Sequence, residues 1–240
     1  MTATAEPLAE SRPVAPSWHT RAFALALVAL VLYANREPQW AFNDWVRRLA
    51  GHPAYAGPWL LVEHGLLSST AVMAVSVPSW LYLAARGLVP SPRALLGPPS
   101  RRWIVWGIAG GLVPLAVNIA VMAVLAHRGS GLFGLSIGLS APKGWLVLGN
   151  LISNFYEEFV FRGFLLVALR LALGSEVAAW IGTAAAHAAG HTQYPLEEQL
   201  MMGTFMVGWA WLVSRSKSIW TTYVSHEIVD LIGDSLVKLG

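Results

Sequence analysis

Apolar residues in this chain fall in long blocks, with polar residues gathered into short intervals between them, and neither the 3.6-residue nor the 2-residue alternation of a half-buried surface dominates. Blocks at 59–83, 103–126, 145–173, 176–192, 197–213 and 218–238 each reach the ~17–25 residues that a helix needs to cross a bilayer. They predict six membrane spans. Ala22–Ala34 is shorter and predicts a short first helix or one lying at the interface. Trp40, Phe42 and Trp45 with Arg47 and Arg48 then read as an amphipathic segment in the headgroup region. Breaks at Gly174-Ser175, Tyr194-Pro195 and 214–218 separate the last four helices. Gly107, Gly110 and Gly111 predict a close helix approach, Pro114 a kink, and the Gly/Ser-rich stretch 127–142 a flexible or re-entrant connection. Residues 1–20 read as a disordered tail, and 21–240 as one all-α polytopic transmembrane bundle of about six to eight helices.

Composition strengthens this picture. Of 240 residues, 55% are hydrophobic and only 12% charged, and the mean hydropathy is +0.54, outside the usual range of soluble domains. The net charge of +3 is modest, and the basic residues sit at the ends of apolar blocks, which excludes a nucleic-acid partner. Arg86, Arg93, Arg101 and Arg102 share an acid-free loop with four prolines, the pattern of a cytoplasmic connection, and Arg215 and Lys217 fall on the same side when spans are counted. The absence of cysteine rules out disulfides, thiolate catalysis and cysteine-held zinc. Together these features suit a multi-pass protein of a prokaryotic inner membrane.

One block does not fit an inert span. Between Asn154 and Arg162 the 145–173 block carries Glu157, Glu158 and Arg162, each costing ~2.5–3.5 kcal/mol at a helix centre, so roughly 7–10 kcal/mol together if uncompensated. Glu158 and Arg162 are i,i+4 neighbours and can pair. Glu157 lies about 100° away around the axis and needs another partner. Two later blocks offer candidates: His187 and His191, also i,i+4, and His226 and Asp230, with Glu227 between them and Asp234 one turn on. Around one internal cavity these groups would satisfy one another and hold water in a low-dielectric setting. There Glu157 could take a proton from water, and a histidine could stabilise the oxyanion of an attacked carbonyl.

These residues resemble three ordered motifs of the CPBP family, the CAAX proteases and bacteriocin-processing enzymes of Abi type. Glu157-Glu158-x-x-x-Arg162 resembles the first. The run from Thr183 through His187 to His191, followed by Thr-Gln-Tyr-Pro, resembles the second, a small residue followed by Phe-x-x-x-His. His226-x-x-x-Asp230 resembles the third, His-x-x-x-Asn/Asp. The likeness spans about 145–235, which would be the catalytic core. It implies an all-helical intramembrane endopeptidase that cuts a membrane-associated or lipid-linked peptide, with lipid and such a peptide or protein as its partners. Glu157 would activate water with His191 as its partner, since taking His191 as the motif histidine leaves Thr183 and Ala184 at the family's small positions. His226 and Asp230 would line the oxyanion side, Arg162 would brace Glu158, and His187 would support the site. An ionised Asp230 accepts hydrogen bonds only, so it would orient His226. Family substrates include prenylated C-termini, bacteriocin leaders and sorting-signal tails, and no residue here selects among them.

Other readings compete. His226-Glu227-x-x-Asp230 is similar to a zincin helix with a carboxylate as second ligand; zinc would then be held by His226 and Asp230, completed by His191 or His187, with Glu227 as base. Glu and His can activate water without any cofactor, and we take the metal-free form as the expectation. A proton-coupled transporter could use the same groups as a relay, and a membrane scaffold or immunity protein could keep the fold without catalysis. Glu63 and His64 read as interfacial, Trp209 and Trp211 as packing or lipid-facing, and His19, His52 and His127 as loop or tail residues without chemistry.

Overall fold

A computed structural model describes residues 15–51, 67, 70–127, 135–137, 144–191 and 196–239. Glu63, His64, His52, most of the 127–142 connection and the Tyr194-Pro195 break lie outside them. The described chain is helical apart from one short ladder. Its elements are α1 (Trp18–Ala34), α2 (Glu37–Ala50), α3 (Thr70–Ala85), α4 (Pro92–Leu95), α5 (Arg101–His127), β1 (Leu135–Ile137), α6 (Gly144–Glu157), a π-helical segment (Glu158–Leu165), α7 (Leu166–Leu173), α8 (Glu176–Gly190), α9 (Leu196–Ser216), α10 (Trp220–Leu236) and β2 (Val237–Leu239). The two strands pair antiparallel, Leu135 opposite Leu239, which the all-helical expectation did not include.

Among the described residues no helix is long and apolar enough to cross a membrane, so the six predicted spans are not found as such. Two of the apolar blocks included residues that lie beyond the helices: α8 has 15 residues and α10 17. The 145–173 block is divided by the charged motif itself, where eight residues adopt π-helical hydrogen bonding. Such insertions cost regular α-helical pairing and recur at functional sites.

The breaks follow local chemistry. Gly174 ends α7 at φ 67°, and Ser175 caps α8 by accepting the amide of Ala178. The predicted amphipathic segment is α2, where Asp44 pairs with Arg47 at 3.2 Å and Arg48 at 3.6 Å.

The core gathers where α1, α3, the π segment, α7 and α8 meet, around Val31, Trp80, Leu83, Phe164 and Leu165. On the other side α5 lies against α10, as its glycines predict. A Cβ on Gly107 would collide with the backbone oxygen of Thr221, and one on Gly111 would lie 2.7 Å from that of Ser225. Ser225 Oγ donates to Gly107 O at 2.7 Å across this contact. Three bonds tie the Arg86–Arg102 loop to the turn before α10: Ile219 N to Leu95 O (3.0 Å), Ser218 Oγ to Gly97 O (2.6 Å) and Trp220 Nε1 to Leu96 O (2.8 Å). The two basic loops therefore share one end of the bundle, as span counting implied.

Candidate active site

The end of α6 and the π segment deliver the first motif, the end of α8 the histidines, and α10 the third cluster. Glu158 and Arg162 are both fully buried and pair at 3.2 Å, as their spacing predicts. Glu158 also accepts from Thr222 Oγ1 at 2.5 Å and from His226 Nδ1 at 3.0 Å, so three donors surround it. Arg162 lies 5.1 Å from the ring centre of Trp209, and its Nη1 contacts His187 Nδ1. Its Nε and Nη2 have no hydrogen-bond partner, and the indole face supplies part of the missing stabilisation.

Glu157 finds its partner on α8. His187 Nε2 lies 2.8 Å from Glu157 Oε2, and the His187 ring stacks on Phe161 with centroids 4.2 Å apart and planes at 7°. The histidine bonded to Glu157 is thus His187, not the expected His191. The reason lies in helix geometry: α8 ends at Gly190, and His191 follows it as the cap with ψ 55°, which takes it off the helical face that the i,i+4 count assumed. His191 remains near, its ring 5.1 Å from that of His187.

Arg162 also decides the tautomer of His187. A guanidinium has hydrogen-bond donors only, so the Nδ1 it meets must accept, and the ring proton sits on Nε2, donated to Glu157.

On the opposite wall, His226 is buried, its Nδ1–H given to Glu158. Its Nε2 faces Asp230 Oδ2 at 3.7 Å and Glu157 Oε2 at 4.0 Å. Asn154 Nδ2 donates to Asp230 Oδ2 at 2.8 Å. Glu157 is the partly exposed member of the first motif, its side chain 28% accessible, while Glu158 and Arg162 are at 0%. The arrangement is one open carboxylate over a closed scaffold of charges.

The zinc reading meets an obstacle in this donor set. The groups whose ligand atoms converge within 4.8 Å are Glu157, His187 and His191, not His191, His226 and Asp230. To bind a metal, His187 Nε2 would need a lone pair, which would turn an Nδ1–H against the Arg162 donors. Glu227 is buried beside Asn154 and Tyr223. As hydrogen-bonded here, His187 Nε2 offers no lone pair to a metal, although among the described residues Glu157, His187 and His191 converge closely enough to hold one.

Sequence reading missed two contributors and gave a third, Trp209, only the packing role that it does have. Thr222 carries no spacing signal because its role depends on α10 crossing the π segment. Trp209, read as packing or lipid-facing, is buried between Arg162 and His226, 5.2 Å from the latter ring, with Nε1 donating to Gly110 O at 2.8 Å. Asn154 stood in the motif stretch as a polar residue one turn before Glu157, and that position was its only signal.

One carboxylate is thus partly open and hydrogen-bonded to an oriented histidine, with a second histidine facing the same gap. Residues 139–232 match the family described as type II CAAX prenyl endopeptidase Rce1-like, a stretch that contains all three motifs and supports the CAAX-protease resemblance, which indicates a protease. No curated protein and no solved structure matches the chain.

Proposed function

We propose that the chain is an intramembrane endopeptidase that hydrolyses a peptide bond in a membrane-associated or lipid-linked substrate with water activated by Glu157. The observation that carries this reading is the 2.8 Å bond from His187 to Glu157, with its tautomer set by Arg162. His187 orients one carboxylate oxygen and leaves the other to take a proton from water. The water oxygen then bonds to the substrate carbonyl carbon while the carbonyl electrons move onto its oxygen. As the tetrahedral intermediate collapses, the C–N bond breaks and Glu157 returns the proton to the leaving amine. His226 Nε2 faces the place where negative charge develops. Three carboxylates stand around that ring at 3.0, 3.7 and 4.0 Å, so charge balance favours its doubly protonated form, a donor to the oxyanion. His191 stands beside the Glu157–His187 pair, its ligand atom within 4.8 Å of theirs.

Membrane residence is supported by the outer faces of the helices. Leu81, Val105, Val113, Val177, Ile181 and Leu200 are all more than half exposed, an apolar exterior that water would not favour. Proteomic comparison of cells carrying the wild type, Glu157→Ala and His187→Ala tests the reading. The same uncleaved membrane protein accumulating in both variants is the expected result; normal processing in both would refute it.

A further inference from the structure

The carboxylate nearest His226 Nε2 on its own helix presents a difficulty for the proposed site. Asp230 is one turn from His226, and a small side-chain rotation would bring the two into a direct ion pair, closing the nitrogen that must meet the substrate. The contact stops short of a hydrogen bond: the two stand 3.7 Å apart, a loose ion pair. What Asp230 Oδ2 bonds instead is Asn154 Nδ2, at 2.8 Å, from a buried side chain on α6. Resting on the reading above, we propose that Asn154 is a positioning residue of the active site: it holds Asp230 back so that His226 Nε2 stays open to the substrate carbonyl.

The local architecture suits this role. Asn154 lies three residues before Glu157 on the same helix, so one element sets both the base and the restraint on the opposite wall. Docking of α6 on α10 does not depend on this bond alone, because Tyr223 Oη also donates to Leu151 O at 3.0 Å. Leucine at 154 keeps the heavy-atom number and branching of asparagine and has no amide, so it is expected to keep the fold and lose the restraint. Asp230 then pairs with His226. An asparagine at 230 is a weaker, neutral acceptor and releases that nitrogen again.

The test compares wild type, Asn154→Leu, Asp230→Asn and the double variant in lipid vesicles, with an internally quenched peptide ending in a farnesylated Cys-aliphatic-aliphatic sequence as the probe. Asn154→Leu is expected to lower kcat about 10- to 100-fold with KM little changed, and adding Asp230→Asn to restore at least part of that loss. A merely structural role makes the double variant worse than either single one. A readout that needs no turnover accompanies this: in 15N-histidine NMR, the His226 Nε2 resonance is expected to move in Asn154→Leu and return in the double variant. An unmoved resonance, an unchanged kcat, or a double variant no better than Asn154→Leu overturns the proposal. If the wild type cleaves the probe no faster than Glu157→Gln, the endopeptidase reading fails for this substrate class, and the NMR result still decides the role of Asn154.

Discussion

Replacing Arg162 with Met removes the buried guanidinium and keeps an unbranched side chain of similar reach. Glu158 then loses its 3.2 Å partner and retains Thr222 and His226. Breaking a buried ion pair by removing one partner costs about 3–5 kcal/mol, because the other charge stays in a low-dielectric site. Two guanidinium nitrogens have no hydrogen bond here, so Arg162 already stabilises less than an ideal partner would. We therefore expect the lower end, about 3 kcal/mol, which at 2–4 °C per kcal/mol corresponds to a Tm drop of roughly 6–12 °C. Intrinsic fluorescence of the 12 tryptophans during heating in detergent micelles reports the transition. The double variant Arg162→Met with Glu158→Leu is expected to regain most of the loss, since apolar replacement of both members removes both desolvation penalties. It is expected to stay inactive, because His226 Nδ1 no longer has its acceptor. A single variant that melts within about 1 °C of wild type, or a double variant less stable than the single one, would refute this electrostatic account.

Further outcomes follow from the same contacts. Purified wild type is expected to hold no stoichiometric zinc by mass spectrometry, whereas Arg162→Met frees the tautomer of His187 and is expected to gain zinc affinity at Glu157, His187 and His191. His187→Ala is expected to lower kcat to near the level of Glu157→Gln and His191→Ala by a smaller factor, measured on one peptide probe; equal losses would return His191 to the inner site. Gly111→Ala places a Cβ 2.7 Å from Ser225 O and is expected to cost about 1–3 kcal/mol by thermal melting as α5 is pushed off α10.

Much of the site was legible because its chemistry is local in sequence. Glu158 and Arg162 pair at the distance their spacing predicts, and the residue left over, Glu157, does meet a histidine from α8. Choosing between His187 and His191 needed the end of that helix, which is set by the chain after Gly190 and not by apolar pattern. The glycines of α5 foretold a close contact, but only the structure names α10 as its partner and thereby places Thr222 against Glu158. Trp209 does pack in the core, but apolar pattern could not show that its ring also faces the buried Arg162 guanidinium. Span counting missed the division of the 145–173 block by the π segment and the end of α8 at Gly190, which hydropathy does not register.

The most direct measurement is the single-turnover cleavage rate of the farnesylated quenched peptide by wild type and Glu157→Gln, each in lipid vesicles and matched for thermal stability. Loss of the general base is expected to lower the rate about 100-fold or more without changing peptide binding. A Glu157→Gln enzyme that cleaves at the wild-type rate would contradict the central claim that Glu157 activates the water.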